Sequence, residues 1–353
     1  MKKIIIILTL FLLFPIKVAA ASEITVMDMD SGRILFESNS NEKRLIASIT
    51  KIMTAIVTIE NIDINKNITV GDEVLKSYGT NTYISVGEQL KIKDLLYGLL
   101  LRSGNDAALT LSYSIDGNQE SFINKMNEKA KELGMNNTYF ENPHGLDENT
   151  KNYSTSNDMA LLSKYAYSNK VYRSIVGTKK YSIKTNYKSY VWFNRNKLLS
   201  TYKYCTGGKN GYTPSAGKTL VSTASKDDLN LTIVTLNDPN IYETHESLYN
   251  YYFSKYKNYT IIDKNHLVID KNALDKDVYV KESFIYPLKE NELDKITTNI
   301  KIRDNNSENI GVIEVYLDKD MIGQIKLYTS KSVQKKKEQS FFQKFKSLIV
   351  YKS

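Results

Sequence analysis

Residues 24–37 alternate apolar and polar side chains around Asp30-Ser31-Gly32, and that period of two with a tight turn predicts a β-hairpin. After a lead-in at 44–47 the spacing changes, and from Ser48 the apolar residues fall at helical intervals through about Glu60. A dense apolar stretch at 95–101 ends in Arg102-Ser103-Gly104; from Asn105 onward the pattern again suits a helix, as does 157–167. Beyond Tyr202 the texture turns to strands, with 218–225 and 229–236 alternating across Asp227-Asp228 as an antiparallel hairpin. After Tyr259 short strands follow closely, at 277–280, 297–302, 309–317 and 321–328, so a small β-rich second domain follows a first domain of mixed α/β character.

The two ends differ from this body. Lys2 and Lys3 precede an apolar run at 4–14, and Val18-Ala19-Ala20-Ala21 supplies small residues for a peptidase, so 1–20 reads as a secretory signal. The run is shorter than the ~18–20 residues of a membrane span. At the other end Phe341, Phe342, Phe345, Leu348 and Ile349 share one face of an expected helix, with Lys344 and Lys346 beside it and Lys335, Lys336 and Lys337 before it. Residues 331–353 are therefore expected to form a basic amphipathic tail that lies on an anionic membrane surface.

Charge sharpens that division. The 353 residues sum to +9, but seven Lys against one Glu fall in 331–353 and three Lys in 1–20, leaving 21–330 with no net charge. A body that coats nucleic acid is therefore not expected. Within it, 151–226 is basic with Asp158 its one acid, a surface that suits either an anionic wall polymer or plain solvation. One cysteine, Cys205, and three histidines exclude a disulfide framework and a Cys- or His-rich metal site, so neither metal nor cofactor is expected.

Three short elements carry chemistry. Ser48 and Lys51 stand one helical turn apart, so the amine can reach the hydroxyl and accept its proton if its pKa is depressed. The same Ser-x-x-Lys spacing recurs at Ser40, Ser200, Ser215, Ser254 and Ser332; what separates Ser48 is a helix start between apolar neighbours, where backbone N–H groups can stabilise an oxyanion. Ser103 and Asn105 flank Gly104 at a break between helical segments, where both can face a cleft or simply cap a helix. In Gly207-Gly208-Lys209-Asn210-Gly211-Tyr212-Thr213, alternation puts Lys209, Gly211 and Thr213 on one face of a strand, and the glycines let a substrate backbone lie close. A cationic Lys209 there can bind a terminal carboxylate. Gly217-Lys218-Thr219 is no Walker loop, since position 212 is Tyr.

In this order the three elements match the Ser-x-x-Lys, Ser-x-Asn and Lys-Thr-Gly signature of penicillin-recognising serine enzymes. The chain resembles the low-molecular-mass penicillin-binding proteins that are D-alanyl-D-alanine carboxypeptidases. The likeness extends through 47–55, 98–108, 140–147, 153–160 and 211–213, and is strong over roughly 22–250. It implies a serine-type transpeptidase/β-lactamase-like α/β (α+β) catalytic domain at 21–256, an antiparallel sheet with flanking helices, and a small all-β C-terminal domain at 257–330. It further implies that Ser48 attacks the carbonyl between two terminal D-alanines, with Lys51 accepting the proton. Ser103 would relay a proton to the departing nitrogen, Asn105 would hold the substrate amide and Lys51, and Lys209 would bind the carboxylate and help keep Lys51 neutral. The N–H groups of Ser48 and Tyr212 would form the oxyanion hole, with Asn210, Gly211 and Thr213 completing the substrate-binding strand. Peptidoglycan stem peptides are the implied substrates and β-lactams the implied covalent inhibitors.

The chain departs from the family at Asn210, where the third motif usually has Thr. Alternation turns this side chain from the face of Lys209, and weaker substrate and penicillin binding is expected. A β-lactamase, with Glu141 as the nearest candidate to activate water, and a non-catalytic wall-binding or penicillin-sequestering protein are the other readings. Cys205 is expected to be a buried small residue, His144 to shape a turn, and Asp158 to support a helix start.

Overall fold

The computed structural model describes residues 22–267, 269, 278–302, 308–329, 339–343 and 350–351. The segment read as a signal, 1–20, lies outside them. Five antiparallel strands form the central sheet of the first domain: β1 (Glu23–Asp28), β2 (Ile34–Ser38), β3 (Cys205–Thr213), β4 (Gly217–Lys226) and β5 (Leu229–Leu236), in the order β2-β1-β5-β4-β3. The β4–β5 hairpin turns through Asp227 and Asp228, both at positive φ (49° and 61°), the backbone that matches strand twist in a two-residue turn.

Strand β5 is apolar on both sides because both sides are covered. Leu229, Leu231 and Ile233 pack with Tyr249, Tyr252 and Phe253 of the helix Ile241–Lys255, while Val234 and Leu236 join the larger core under the remaining helices. That larger core is built on α1 (Lys51–Asn61), α2 (Asn105–Asp116), α3 (Gln119–Glu132) and α4 (Ser156–Ser168). The helix starts follow capping chemistry: Asn118 accepts from the N–H of Ser121, and Thr155 from that of Asp158. Asp158 does support its helix, and its carboxylate also accepts from Asn137 N and Thr138 Oγ1. Among the described residues strand β3 pairs only with β4, and no strand of theirs covers its other edge.

The second domain is all β. A three-stranded sheet joins β6 (Lys257–Ile262) to β8 (Phe284–Leu288) and β13 (Val350–Tyr351). A five-stranded sheet runs β7 (Val278–Tyr279), β11 (Asp320–Thr329), β10 (Asn309–Leu317), β9 (Ile296–Ile302) and β12 (Gln339–Gln343), with Ile300, Ile313, Val315 and Leu327 in the core between the sheets. Arg33, beside the first hairpin turn, ties the domains: it donates to Glu292 at 2.7 and 3.0 Å and to Pro287 O at 2.7 Å.

The tail corrects the sequence reading. The helix expected to begin at Phe341 is a strand there: 339–343 pair antiparallel with β9, from Ile302↔Gln339 to Thr298↔Gln343. Without that partner β9 would present a row of unpaired N–H and C=O groups, and aromatic residues favour the strand that fills it. A helical period over so few residues is outweighed by a ladder of backbone hydrogen bonds. Residues 344–349 lie outside the described residues. Among the described residues no helix is long and apolar enough to cross a membrane.

Candidate active site

Ser48 sits in a single 3-10 turn, Ala47–Thr50, that runs directly into α1. Ala47 holds φ 49°, a conformation that costs a non-glycine residue roughly 1–2 kcal/mol. The surroundings impose it: Gly145 lies against the Ala47 carbonyl too closely for a Cβ, Thr219 Oγ1 donates to Ile46 O at 3.1 Å, and Asn152 Nδ2 donates to Thr50 Oγ1 at 3.0 Å. Strain at this point lifts Ser48 toward solvent at the head of a helix.

Lys51, the first residue of α1, is fully buried. Its Nζ stands 3.2 Å from Ser48 Oγ, 2.8 Å from Asn105 Oδ1 and 2.6 Å from His144 O. Burial, then Lys209, hold its pKa well below the ordinary lysine value. A neutral amine has two N–H donors and one lone pair. The His144 carbonyl only accepts, and so does Asn105 Oδ1, whose orientation is fixed because Asn105 Nδ2 donates to Tyr78 O at 2.6 Å. Those two acceptors take both N–H groups and leave the lone pair for the Ser48 hydroxyl. His144 thus serves the site through its backbone; its ring accepts from Leu146 N, in keeping with a turn role.

Asn105 opens α2, and Ser103 before it holds φ 69° at the end of a π-helical turn, Gly98–Arg102. Ser103 is buried, and its hydroxyl has no hydrogen-bond partner among the described residues. Asp106, which the sequence reading passed over, accepts from Thr82 N, Thr82 Oγ1, Tyr83 N and Ala107 N at 2.6–2.8 Å. Those bonds tie the loop at 80–83 to the head of α2, and Asn105 N donates to Thr80 O in the same wall.

Strand β3 forms the facing wall. Lys209, Gly211 and Thr213 are buried while Asn210 is half-buried and Tyr212 exposed, the alternation expected. Lys209 Nζ donates to Asn210 O at 2.6 Å, and burial, then Arg195, push its pKa down to about 7. A Cβ on Gly211 would lie 2.7 Å from Ser48 N, so glycine is what lets the strand meet the serine turn. The other two glycines serve the fold rather than a substrate, correcting the reading of this stretch. A Cβ on Gly207 would strike Val176, and Gly208, at φ 142°, lies against Val221 O and Ser222 Cα of the chain itself. Thr213 is likewise committed, donating to Asp147 at 2.7 Å and accepting from Ala216 N at 3.0 Å.

Between the walls runs a cleft of about 340 Å3, bounded by Ser48, Gly79, Thr80 and Asn105 on one side, 212–215 on the other and 146–148 at one end. Arg195, also missed, donates to Thr80 Oγ1 at 3.3 Å and adds positive potential at Lys51 and Lys209. Its only trace in the sequence is membership of the acid-poor segment 151–226. Cys205 is half-buried with its thiol pushed up to about 11 by burial. Glu141 is exposed and accepts from Lys151 N at 2.5 Å.

A family model described as D-alanyl-D-alanine carboxypeptidase matches residues 14–240, and one described as penicillin-binding protein 5, C-terminal domain, matches 256–335. The D-alanyl-D-alanine carboxypeptidase DacF of Bacillus subtilis is 36% identical over 216 residues, 59% of this chain and 55% of that protein. The chain spans about half the length of the Bacillus subtilis and Escherichia coli relatives it matches, 55% of each. Among solved structures, the Streptomyces K15 DD-transpeptidase has a TM-score of 0.61 at 32% identity, covering 67% of this chain and 97% of that one. The carboxypeptidase DacD of Francisella tularensis covers 90% of this chain and 94% of its own at a TM-score of 0.70 and 24% identity, a likeness of fold across both domains.

Proposed function

The chain belongs to the D-alanyl-D-alanine carboxypeptidase family, and we propose from that premise that it removes the terminal D-alanine from peptidoglycan stem pentapeptides through an acyl-enzyme on Ser48. The observation that carries this reading is the contact of the buried Lys51 Nζ with Ser48 Oγ at 3.2 Å, in a setting where burial, then Lys209, hold the amine's pKa well below the ordinary lysine value.

In the proposed reaction Lys51 Nζ takes the Ser48 proton as Oγ attacks the carbonyl carbon between the two D-alanines. The oxyanion is held by the N–H groups of Ser48 and Tyr212, which the close approach of Gly211 supports; one such donor is typically worth ~3–4 kcal/mol. The C–N bond then breaks, and the proton passes from Lys51 by way of Ser103 to the departing D-alanine nitrogen. Ser103 is suited to this because no protein group engages its hydroxyl among the described residues. Water hydrolyses the ester, with Lys51 again as base. The substrate carboxylate pairs with Lys209, whose pKa near 7 rises as the anion arrives, so cleft occupancy charges the group that binds it. A β-lactam acylates the same serine. The substrate backbone lies along the open edge of β3 as an added strand.

The reading includes export to the outer face of the cytoplasmic membrane or the wall, on the strength of the N-terminal pattern, and peripheral attachment through 331–353. With 339–343 in a strand, the support for attachment is the lysine cluster rather than a helical face. Loss of sedimentation with anionic vesicles on deletion of 331–353 is the expected result.

The test of function is D-alanine release from a peptide ending in D-Ala-D-Ala by the full chain. Release that vanishes in Ser48→Ala supports the reading; none from either folded protein overturns it.

A further inference from the structure

Residues 159–226 contain no Asp or Glu, and part of their positive charge gathers on one exposed face. Residues 180–184 and 189–193 pair as a two-stranded ribbon, from Lys180↔Phe193 to Lys184↔Ser189. Its inner face is pinned: Tyr181 stacks on Tyr97 with ring centroids 3.6 Å apart, and Tyr190 and Trp192 are buried. The carboxylates bonded to the ribbon serve that inner face and the turn, Asp94 accepting from the Tyr181 hydroxyl at 2.6 Å and Glu88 from Thr185 and Tyr190 at 2.6 and 2.8 Å. The outer face carries Lys180, Lys184, Val191 and Phe193, with Val191 51% and Phe193 61% exposed. Among the described residues neither lysine makes an ion pair, and Lys180 Nζ lies 5.6 Å from the centre of the Phe193 ring. An exposed apolar pair beside cations that no carboxylate neutralises suits an acidic partner with small apolar groups. The ribbon also adjoins the cleft. Lys188 Nζ in its turn and the Tyr190 hydroxyl both donate to Tyr83 O, at 2.8 and 3.1 Å, and Arg195, two residues past its second strand, donates to Thr80 Oγ1. Gly79 and Thr80 line the cleft on the side of Ser48 and Asn105.

We propose that the outer face of this ribbon is a docking surface for the polymer that bears the substrate: it holds stem peptides neighbouring the one in the cleft, their terminal carboxylates against Lys180 and Lys184 and their alanine methyl groups against Val191 and Phe193. The inference rests on the carboxypeptidase reading and deepens it, from a single stem to a strand that carries many. Each stem ends in a carboxylate, so such a strand presents repeated negative charges to a face of the opposite sign. Lys180 and Lys184 stand about 13 Å apart along their strand, which leaves room for two separate carboxylates. Each exposed pair is weak and is screened by salt; the gain comes from several contacts on one strand acting together with the cleft.

The experiment compares the full-length chain with its Lys180→Gln/Lys184→Gln variant on two substrates, soluble uncross-linked glycan strands carrying pentapeptides and a short peptide ending in D-Ala-D-Ala. The variant should lose about five-fold in kcat/KM on the strands, less at high salt, with the short peptide unchanged. Phe193→Ser should lower the strand rate in the same selective way. Co-sedimentation with insoluble wall polymer reads binding without turnover, and the double variant should be retained less; the basic tail is common to both proteins. Equal strand rates overturn the assignment and leave the carboxypeptidase reading standing. So does an equal fall on both substrates, which would make the ribbon a brace of the cleft wall. A variant that sediments less with anionic vesicles but equally with the polymer gives the face to a membrane and overturns the assignment too. Release from neither substrate by the wild type overturns the carboxypeptidase reading; polymer retention that differs between the two proteins then still supports the surface, and equal retention overturns it.

Discussion

The Nζ of Lys51 lies 3.2 Å from Oγ of Ser48, and the two other groups around it, Asn105 Oδ1 and His144 O, can only accept. Once the amine is neutral, that asymmetry leaves its lone pair to the serine. Lys51→Arg, which keeps a permanent charge, should cut acylation about 1,000-fold or more while the protein still folds. The wild-type rate should fall as pH drops through the depressed Lys51 pKa, because protonation consumes the lone pair. Arg195→Gln removes a positive neighbour and should move that acid limb to higher pH in a kcat profile. A limb that stays put would separate Arg195 from the base.

Gly211 is the contact between strand and serine turn. Gly211→Ala would bring a Cβ to 2.7 Å from Ser48 N and 2.6 Å from Thr219 Oγ1. The strand must shift, at a cost of about 1–3 kcal/mol in stability, and the oxyanion donors separate. Acylation by a β-lactam should fall about 100- to 1,000-fold, read as a second-order rate constant beside a denaturant melt.

Asn210 stands where the family usually has Thr, and its side chain faces away from the buried face of Lys209. Its carbonyl, not its amide, contacts Lys209 Nζ, so a change of side chain leaves that bond intact. Asn210→Thr should therefore bind penicillin as well as or better than wild type. A slower acylation rate would contradict this account of the strand.

His245 is buried between Ser222 Oγ, 2.7 Å from Nδ1, and Thr235 Oγ1, 3.0 Å from Nε2, and burial pushes its pKa down to about 3. The folded protein therefore binds fewer protons than the unfolded chain below the usual histidine value of about 6.5. Its contribution to stability is complete above pH 6.5 and declines as pH falls toward 3, by up to about 1.4 kcal/mol per pH unit. Denaturant midpoints measured from pH 7 to 4 should fall, and His245→Asn should flatten the slope; an unchanged slope in the variant would remove His245 as a cause.

Much of the site was readable because its chemistry is local. Ser48 and Lys51 are one turn apart, Ser103 and Asn105 flank a helix break, and Lys209 and Gly211 alternate along one strand, so spacing alone places them correctly within each element. What spacing could not show is how elements meet. The His144 carbonyl that accepts a hydrogen bond from Lys51, the Asp106 carboxylate that ties down 82–83, and Arg195 act across 93, 24 and 115 positions of sequence. Gly207 and Gly208 were misread for the same reason, since their neighbours Val176 and Val221 come from other elements. In the fold, the hairpins with marked alternation emerged near their expected ends, whereas Phe341 and Phe342 took the period that the open edge of β9 demanded rather than the one their spacing suggested.

The central claim is that Ser48 carries the acyl group, and the most direct measurement is intact mass and peptide mapping of the full-length chain after brief exposure to benzylpenicillin. One added penicilloyl group is predicted, confined to the peptide containing Ser48 and lost in Ser48→Ala. An adduct on Cys205 or Ser103, or no adduct on a folded protein, would contradict the account.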